Sequence, residues 1–149
     1  MQILEQQALI LHDLISYKVR LTREKLPGFI RHCLANIDSL GIQPAGRILF
    51  TEDDSCEQNM EILIPVRPAP ETCDLYQKKN VFRLINAVSA RHEGTLDDLN
   101  RIEHDLLAYV QKKSYQAITK PYYSIVRLDA DRPGSAIIDV YIGVNYNIL

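Results

Sequence analysis

Tryptophan is absent, the cysteines number three, and the six glycines are scattered singly. Each scarcity excludes a class. An odd cysteine count (Cys33, Cys56, Cys73) with wide spacing and no C-x-x-C argues against a disulfide framework or a metal knuckle, and a reducing cytoplasm is the expected location. Single glycines make no phosphate-cradling loop. His12, His32, His92 and His104 lack H-x₃-H spacing, so no zinc site is expected. Lys/Arg runs stop at two residues (Lys78-Lys79, Lys112-Lys113) and the net charge is -2, so no direct nucleic-acid grip is expected. No apolar run approaches the ~20 residues that span a bilayer, and Met1 to Gln7 has no basic n-region, so neither membrane partner nor secretory signal is expected.

What remains is an ordinary globular chain: 149 residues, 46% hydrophobic and 24% charged, suited to a single domain over 1–149. Tyrosine stands out, with eight against three phenylalanines. Its apolar body and polar tip suit pockets and interfaces.

Ala8 to Leu21 reads as a strand bent near His12-Asp13. Pro27-Gly28 opens a helix whose apolar stripe is Phe29, Ile30, Cys33, Leu34, Ile37 and Leu40, with Gly41 as its stop. Arg47–Thr51 and Met60–Val66 read as strands. Pro65 marks the second as an edge, a bulge or a strand end, because proline cannot donate to a ladder. Residues 67–79 read as a linker. The order then repeats. Val81–Ala90 is a strand, and Ala90–Gly94 (ARHEG) a loop with His92 at the surface. Thr95 with Asp98 forms a capping box before a helix striped by Leu99, Ile102, Leu106, Tyr109 and Val110. Tyr122–Leu128, a turn at Asp129–Ser135 containing Arg132-Pro133-Gly134, and Ala136–Val144 complete it.

The halves superpose: Thr22 falls on Thr95 at an offset of 73, and MEILIPV falls on IDVYIGV, Val66 on Val144, at an offset of 78. An internal duplication follows, with repeats over about 8–66 and 80–144. The expected fold is α+β: two βαββ units related by a pseudo-two-fold, mainly antiparallel sheet, both helices on one face, and a central groove between repeats. Strand alternation sends Met60, Ile62, Ile64 and Val66, and Val140, Ile142 and Val144, toward the helices. Glu61, Leu63 and Pro65, and Asp139, Tyr141 and Gly143, then face the other way. Ile48 and Phe50 are placed outward with them, as are Tyr122, Ser124 and Val126. The candidate ligand-binding set is Phe50, Glu61, Leu63, Tyr122, Ser124, Asp139 and Tyr141. No catalytic set and no cofactor are expected. His92-Glu93 invites an acid–base role that a surface loop explains as well, and Ser124 has no base or nucleophile-elbow pattern beside it. Cys33 reads as core, and Cys56 and Cys73 as loop residues with nothing to activate them.

The duplicated βαββ order, the ARHEG segment and the Pro-Val end of MEILIPV resemble the GyrI-like family, the effector-binding domains of bacterial transcription activators. The resemblance spans nearly the whole chain. It implies a standalone binding domain that takes a small apolar or aromatic molecule, with a transcription-regulating, drug-sensing or sequestering role. Many members carry Glu, then Tyr two residues on, where this chain has Ser124 and Val126. That departure puts cation binding and the hydrolysis found in some relatives in doubt, and the reading leans away from an enzyme. Thr119–Tyr123 and Val140–Val144 also resemble small Gram-positive proteins encoded beside LXG toxins, which implies as the alternative a protein-binding adaptor.

Overall fold

The computed structural model describes residues 1–53, 57–128 and 135–145. Cys56 and the Arg132-Pro133-Gly134 turn lie outside them. The chain forms two compact units: Leu11–Phe82, here the first-repeat unit, and Met1–Ile10 with Arg83–Leu149, the second-repeat unit.

The elements are β1 (Ile3–Val19), α1 (Leu26–Ser39), β2 (Gln43–Pro44), β3 (Leu49–Glu52), β4 (Met60–Arg67), β5 (Gln77–Thr95), α2 (Leu99–Lys112), β6 (Gln116–Ala117), β7 (Tyr122–Leu128) and β8 (Ser135–Asn145). In the first-repeat unit β4 is central. It pairs antiparallel with β1 on one side, and with β3 and then β2 on the other. In the second-repeat unit β8 is central between β5 and, on the other side, β7 and then β6. The fold is α+β, and every one of these ladders is antiparallel. The helices, β2/β6 and the starts of β3/β7 repeat at an offset of 73, and β4/β8 at 78. The five extra residues lie beyond the equivalent pairs Glu52–Met60 and Ile125–Ile138, where β7 and β8 bulge and run on through Arg127–Ile137 and Leu128–Ala136 while β3 and β4 end.

Both helices end alike. In α1 the Gly41 N–H reaches Asp38 O and the Ile42 N–H reaches Ile37 O; in α2 Ser114 reaches Gln111 and Tyr115 reaches Val110. These are paired Schellman bonds. They require a left-handed residue, Gly41 (φ 77) in one and Ser114 (φ 60) in the other. Each helix buries one stripe, Leu26, Ile30, Cys33 and Ile37 or Leu99, Ile102, Leu106 and Val110. A buried side chain of this kind contributes roughly 1.5–3 kcal/mol. Leu40, expected on the stripe, is the C-cap and is exposed.

Several sequence expectations are corrected. β1 begins at Ile3, not Ala8, and bends at Asp13 as expected: Asp13 and its equivalent Asn86 both have positive φ, which these short polar side chains tolerate. β5 runs on to Thr95, so ARHEG is strand and not loop. Gly94 suggested a break, but it pairs with Ala136, and His92 pairs with Ile138 and is buried. Its Nε2 lies 2.7 Å from Thr95 O. Thr95 stands at the N-cap of a 3-10 turn (Leu96–Asp98) that precedes α2, and its side chain makes no capping bond there.

Pro65 sits in the middle strand, not at an edge. Its carbonyl accepts from the Ala45 N–H at 2.8 Å, so its nitrogen points to the same side, between the β3 ladder ending at Leu63 and the β2 ladder starting at Val66. The missing N–H falls where no strand could accept it. The second repeat treats the same gap differently. Ile118 N–H bonds to Gly143 O at 2.8 Å, and the Gly143 N–H is capped by Thr119 Oγ1 at 2.9 Å. Gly46 and Pro65 in one repeat thus correspond to Thr119 and Gly143 in the other.

Candidate functional site

Register assigns faces without ambiguity. Tyr17 pairs with Ile62, and its ring meets Phe29 of α1 edge-on at 5.9 Å, so the Ile62 face of the first-repeat sheet is the helix face. Tyr123 pairs with Val140, and its hydroxyl donates to Glu103 of α2 at 2.9 Å, which identifies the helix face of the second. The opposite faces carry two cross-strand rows each. In the second-repeat unit one row is Arg91–Asp139–Ser124 and the next is Ser89–Tyr141–Tyr122. In the first-repeat unit they are Lys18–Glu61–Thr51 and Ser16–Leu63–Leu49. A cation, a carboxylate and a hydroxyl recur in the same order on both sheets, with Thr51 and Ser124 both buried.

Of the expected site residues, Tyr122, Ser124, Asp139 and Tyr141 come together on one face of the second-repeat unit. Glu61 and Leu63 share the corresponding face of the first. Phe50 does not. It pairs with Ile62 and is fully buried on the helix side, as is its equivalent Tyr123. The parity assigned to Ile48 and Phe50 was one residue out of step, and Leu49 and Thr51 occupy the outward positions. Val126 falls at the β7 bulge between Ile125 and Arg127, where alternation breaks.

Asp139 and Arg91 form a two-point ion pair, Nε to Oδ1 at 2.8 Å and Nη2 to Oδ2 at 3.1 Å. Asp139 is largely covered (15% exposed) and Arg91 half exposed (50%). Beside them lies a pocket of about 310 Å³ lined by Gln2, Leu4, Gln7, Ser89, Arg91 and Tyr141, among others. Its size matches the lower end of small-molecule sites, ~300–1,000 Å³. The sequence reading missed Ser89 and Arg91, which the pairing with Tyr141 and Asp139 supplies, and Gln2, Leu4 and Gln7, which precede the strand start assigned there. The nearby Glu5 anchors β1 to the end of α2: it accepts the Tyr109 hydroxyl at Oε2 and the Tyr115 hydroxyl at Oε1, the latter at 2.7 Å. The Tyr109 and Tyr115 bonds, with Lys113 nearby, hold its pKa below the usual carboxylate value.

In the first-repeat unit Glu61 turns from its register partner. It accepts the Ser16 hydroxyl at 2.6 Å and lies 3.7 Å from Lys79 Nζ. Behind it, on the helix side, burial pushes the Cys33 thiol up to about 11. Burial, followed by the Cys33 thiol, also raises the pKa of the Tyr17 phenol, whose hydroxyl makes no hydrogen bond of good geometry. Among the described residues no trio of His, Cys, Asp or Glu could hold a metal, and no helix is long and apolar enough to cross a membrane.

No family profile and no curated protein matches the sequence. Solved structures do match its fold. The EcmrR C-terminal domain crystal structure aligns with a TM-score of 0.68 at 14% identity, covering 97% of this chain and 96% of that one. EcmrR in its DNA complex aligns with a TM-score of 0.75 at 14% identity, over 96% of this chain, which spans 56% of that longer chain. An uncharacterised conserved protein from Listeria innocua aligns with a TM-score of 0.56 at 10% identity, over 97% of this chain and 91% of that one. The likeness is one of fold, and the α+β class with duplicated, antiparallel units expected from the sequence is the one found.

Proposed function

We propose that the chain is a small-molecule-binding domain of the effector-binding type, whose ligand is an apolar or aromatic molecule held on the second-repeat sheet. The observation that carries this reading is the assembly of Tyr122, Tyr141, Ser89, Ser124 and the Arg91–Asp139 pair on the face away from α2, beside a pocket of about 310 Å³. Tyrosine rings offer a flat apolar wall with a hydrogen-bonding edge. The ion pair satisfies its own charges, so the floor of the site is polar without demanding a charged ligand. The shared fold with the EcmrR C-terminal domain supports a regulatory setting, in which ligand occupancy is read by a DNA-binding partner or segment in the bacterial cytoplasm.

The test is thermal unfolding against a panel of aromatic compounds. A ligand that binds only the folded chain adds ~2.7 kcal/mol at 100 times its dissociation constant. The reading expects a saturable rise in melting temperature that Tyr141→Ala removes. A rise unaffected by Tyr141→Ala would place the ligand elsewhere. No rise with any compound would favour the adaptor reading.

A further inference from the structure

The duplication that builds the tyrosine-walled face also builds its counterpart, and the two differ in charge. In the second-repeat unit Arg91 is locked onto both oxygens of Asp139. In the first-repeat unit the equivalent cation is Lys18 and the equivalent carboxylate Glu61, which is longer by one methylene. Glu61 reaches past its register partner to the Ser16 hydroxyl and toward Lys79. Lys18 is left exposed, with no ion-pair or hydrogen-bond partner among the described residues, and Arg20, two residues along the chain, is in the same position. Two adjoining pockets open on these cations. One, of about 300 Å³, is lined by Lys18, Gln58, Thr72, Leu75, Tyr76 and Gln77, together with Ser16, Cys73 and Asp74. The other, of about 620 Å³, is lined by Lys18, Arg20, Glu57 and Gln58. The first is the internal equivalent of the tyrosine-walled pocket: Leu75, Gln77, Ser16 and Lys18 stand 73 residues from Gln2, Leu4, Ser89 and Arg91.

We infer that the first-repeat unit holds a second ligand site, selective for small organic acids, with Lys18 and Arg20 binding the carboxylate and the exposed Leu75 packing on the apolar body. The donors suit that role. An ammonium and a guanidinium give charge-assisted hydrogen bonds, and Gln58, Gln77 and the Thr72 hydroxyl add neutral ones. Thr72 Oγ1 already accepts the Lys78 N–H at 3.0 Å, which leaves its proton to donate. Glu57 and Asp74 are the acidic groups at the rim. Neither forms an ion pair with Lys18 or Arg20 among the described residues, and both set a limit by repelling polyanions, so the site selects monoacids. This inference does not depend on the proposed function, which concerns the other unit.

The experiment is titration of the isotopically labelled full chain with benzoate and, separately, with its neutral isostere benzamide, followed by backbone amide shifts. Benzoate is expected to shift Lys18, Arg20, Gln58 and Tyr76 saturably, and benzamide to bind at least about tenfold more weakly, the smallest loss expected when charge-assisted bonds to a ligand are removed. Lys18→Gln and Arg20→Gln should each weaken benzoate by a comparable factor, Lys18→Arg should retain it, and Arg91→Gln should leave it unchanged. Equal binding of benzoate and benzamide, loss of binding in Arg91→Gln, or the absence of saturable shifts at these residues overturns the inference. Tyr141→Ala, which tests the tyrosine-walled site, should not affect benzoate at all.

Discussion

Gly143 offers a severe test of the packing described for the second repeat. A Cβ added there would stand 2.8 Å from Thr119 Cγ2, 3.0 Å from Leu84 Cδ1 and 3.2 Å from Thr119 Oγ1. The first contact is closer than real Cβ atoms come, and Thr119 cannot retreat without releasing the Gly143 N–H it caps. Overpacking of this kind costs about 1–3 kcal/mol, and a buried amide left without its acceptor costs a further ~1–3 kcal/mol. Gly143→Ala should therefore destabilise by about 2–6 kcal/mol. At roughly 2–4 °C per kcal/mol for a chain of this size, the melting temperature should fall by at least about 4 °C. Gly46, which corresponds to Thr119 in the first repeat, is the control. Its added Cβ would meet only Pro65 at 3.5 Å, so Gly46→Ala should stay within about 0.5 kcal/mol. Thr119→Ala in the Gly143→Ala background removes both threonine contacts, so the double variant should lose less than the two single losses added. Chemical denaturation of the wild type, the three single variants and the double variant reads all of this. A Gly143→Ala chain as stable as wild type would refute the packing argument.

Three further outcomes are expected. Ser114→Gly should stabilise by about 1 kcal/mol, because Ser114 holds the left-handed position that glycine occupies at the end of α1, and Gly41→Ala should lose a similar amount; denaturant midpoints read both. Tyr17→Phe should be neutral or stabilising by up to ~2 kcal/mol, since it deletes a buried hydroxyl that makes no good hydrogen bond; a clear loss of stability would mean that the hydroxyl is satisfied. Glu5 has a lowered folded pKa, so its contribution is present above the unfolded value of 4.5 and is lost as the pH falls through the folded one. The acid limb of a melting-temperature profile should flatten in Tyr109→Phe/Tyr115→Phe, and an unchanged limb would contradict the clasp.

Much of the fold was legible in the sequence because duplication writes each signal twice. Thr22 and Thr95, and Val66 and Val144, gave offsets of 73 and 78 that the ladders repeat. The errors came where a local cue outweighed that repeat. Gly94 suggested a loop, yet a glycine in a ladder is compatible with a continuing strand, and β5 continues. Phe50 looked outward by parity counted from one end of a short strand, where a one-residue slip moves every side chain to the other face. Carrying the 73-residue offset back from Tyr122 and Ser124 selects Leu49 and Thr51 instead. Ser89 and Arg91 were missed because their role depends on cross-strand register, which no single strand encodes. The beginning of β1 was missed because Ile3 and Leu4 are followed by the polar run Glu5-Gln6-Gln7, which breaks the branched, alternating pattern that marks strands.

The face built by β5, β8 and β7 away from α2 is the one proposed to bind a small molecule. The most direct measurement is amide shift mapping of the labelled chain with the compound that raises the melting temperature most. Saturable shifts are expected to concentrate at Ser89, Arg91, Tyr122, Ser124, Asp139 and Tyr141. Shifts confined to helix-face positions such as Phe50 and Tyr123 would contradict that proposal.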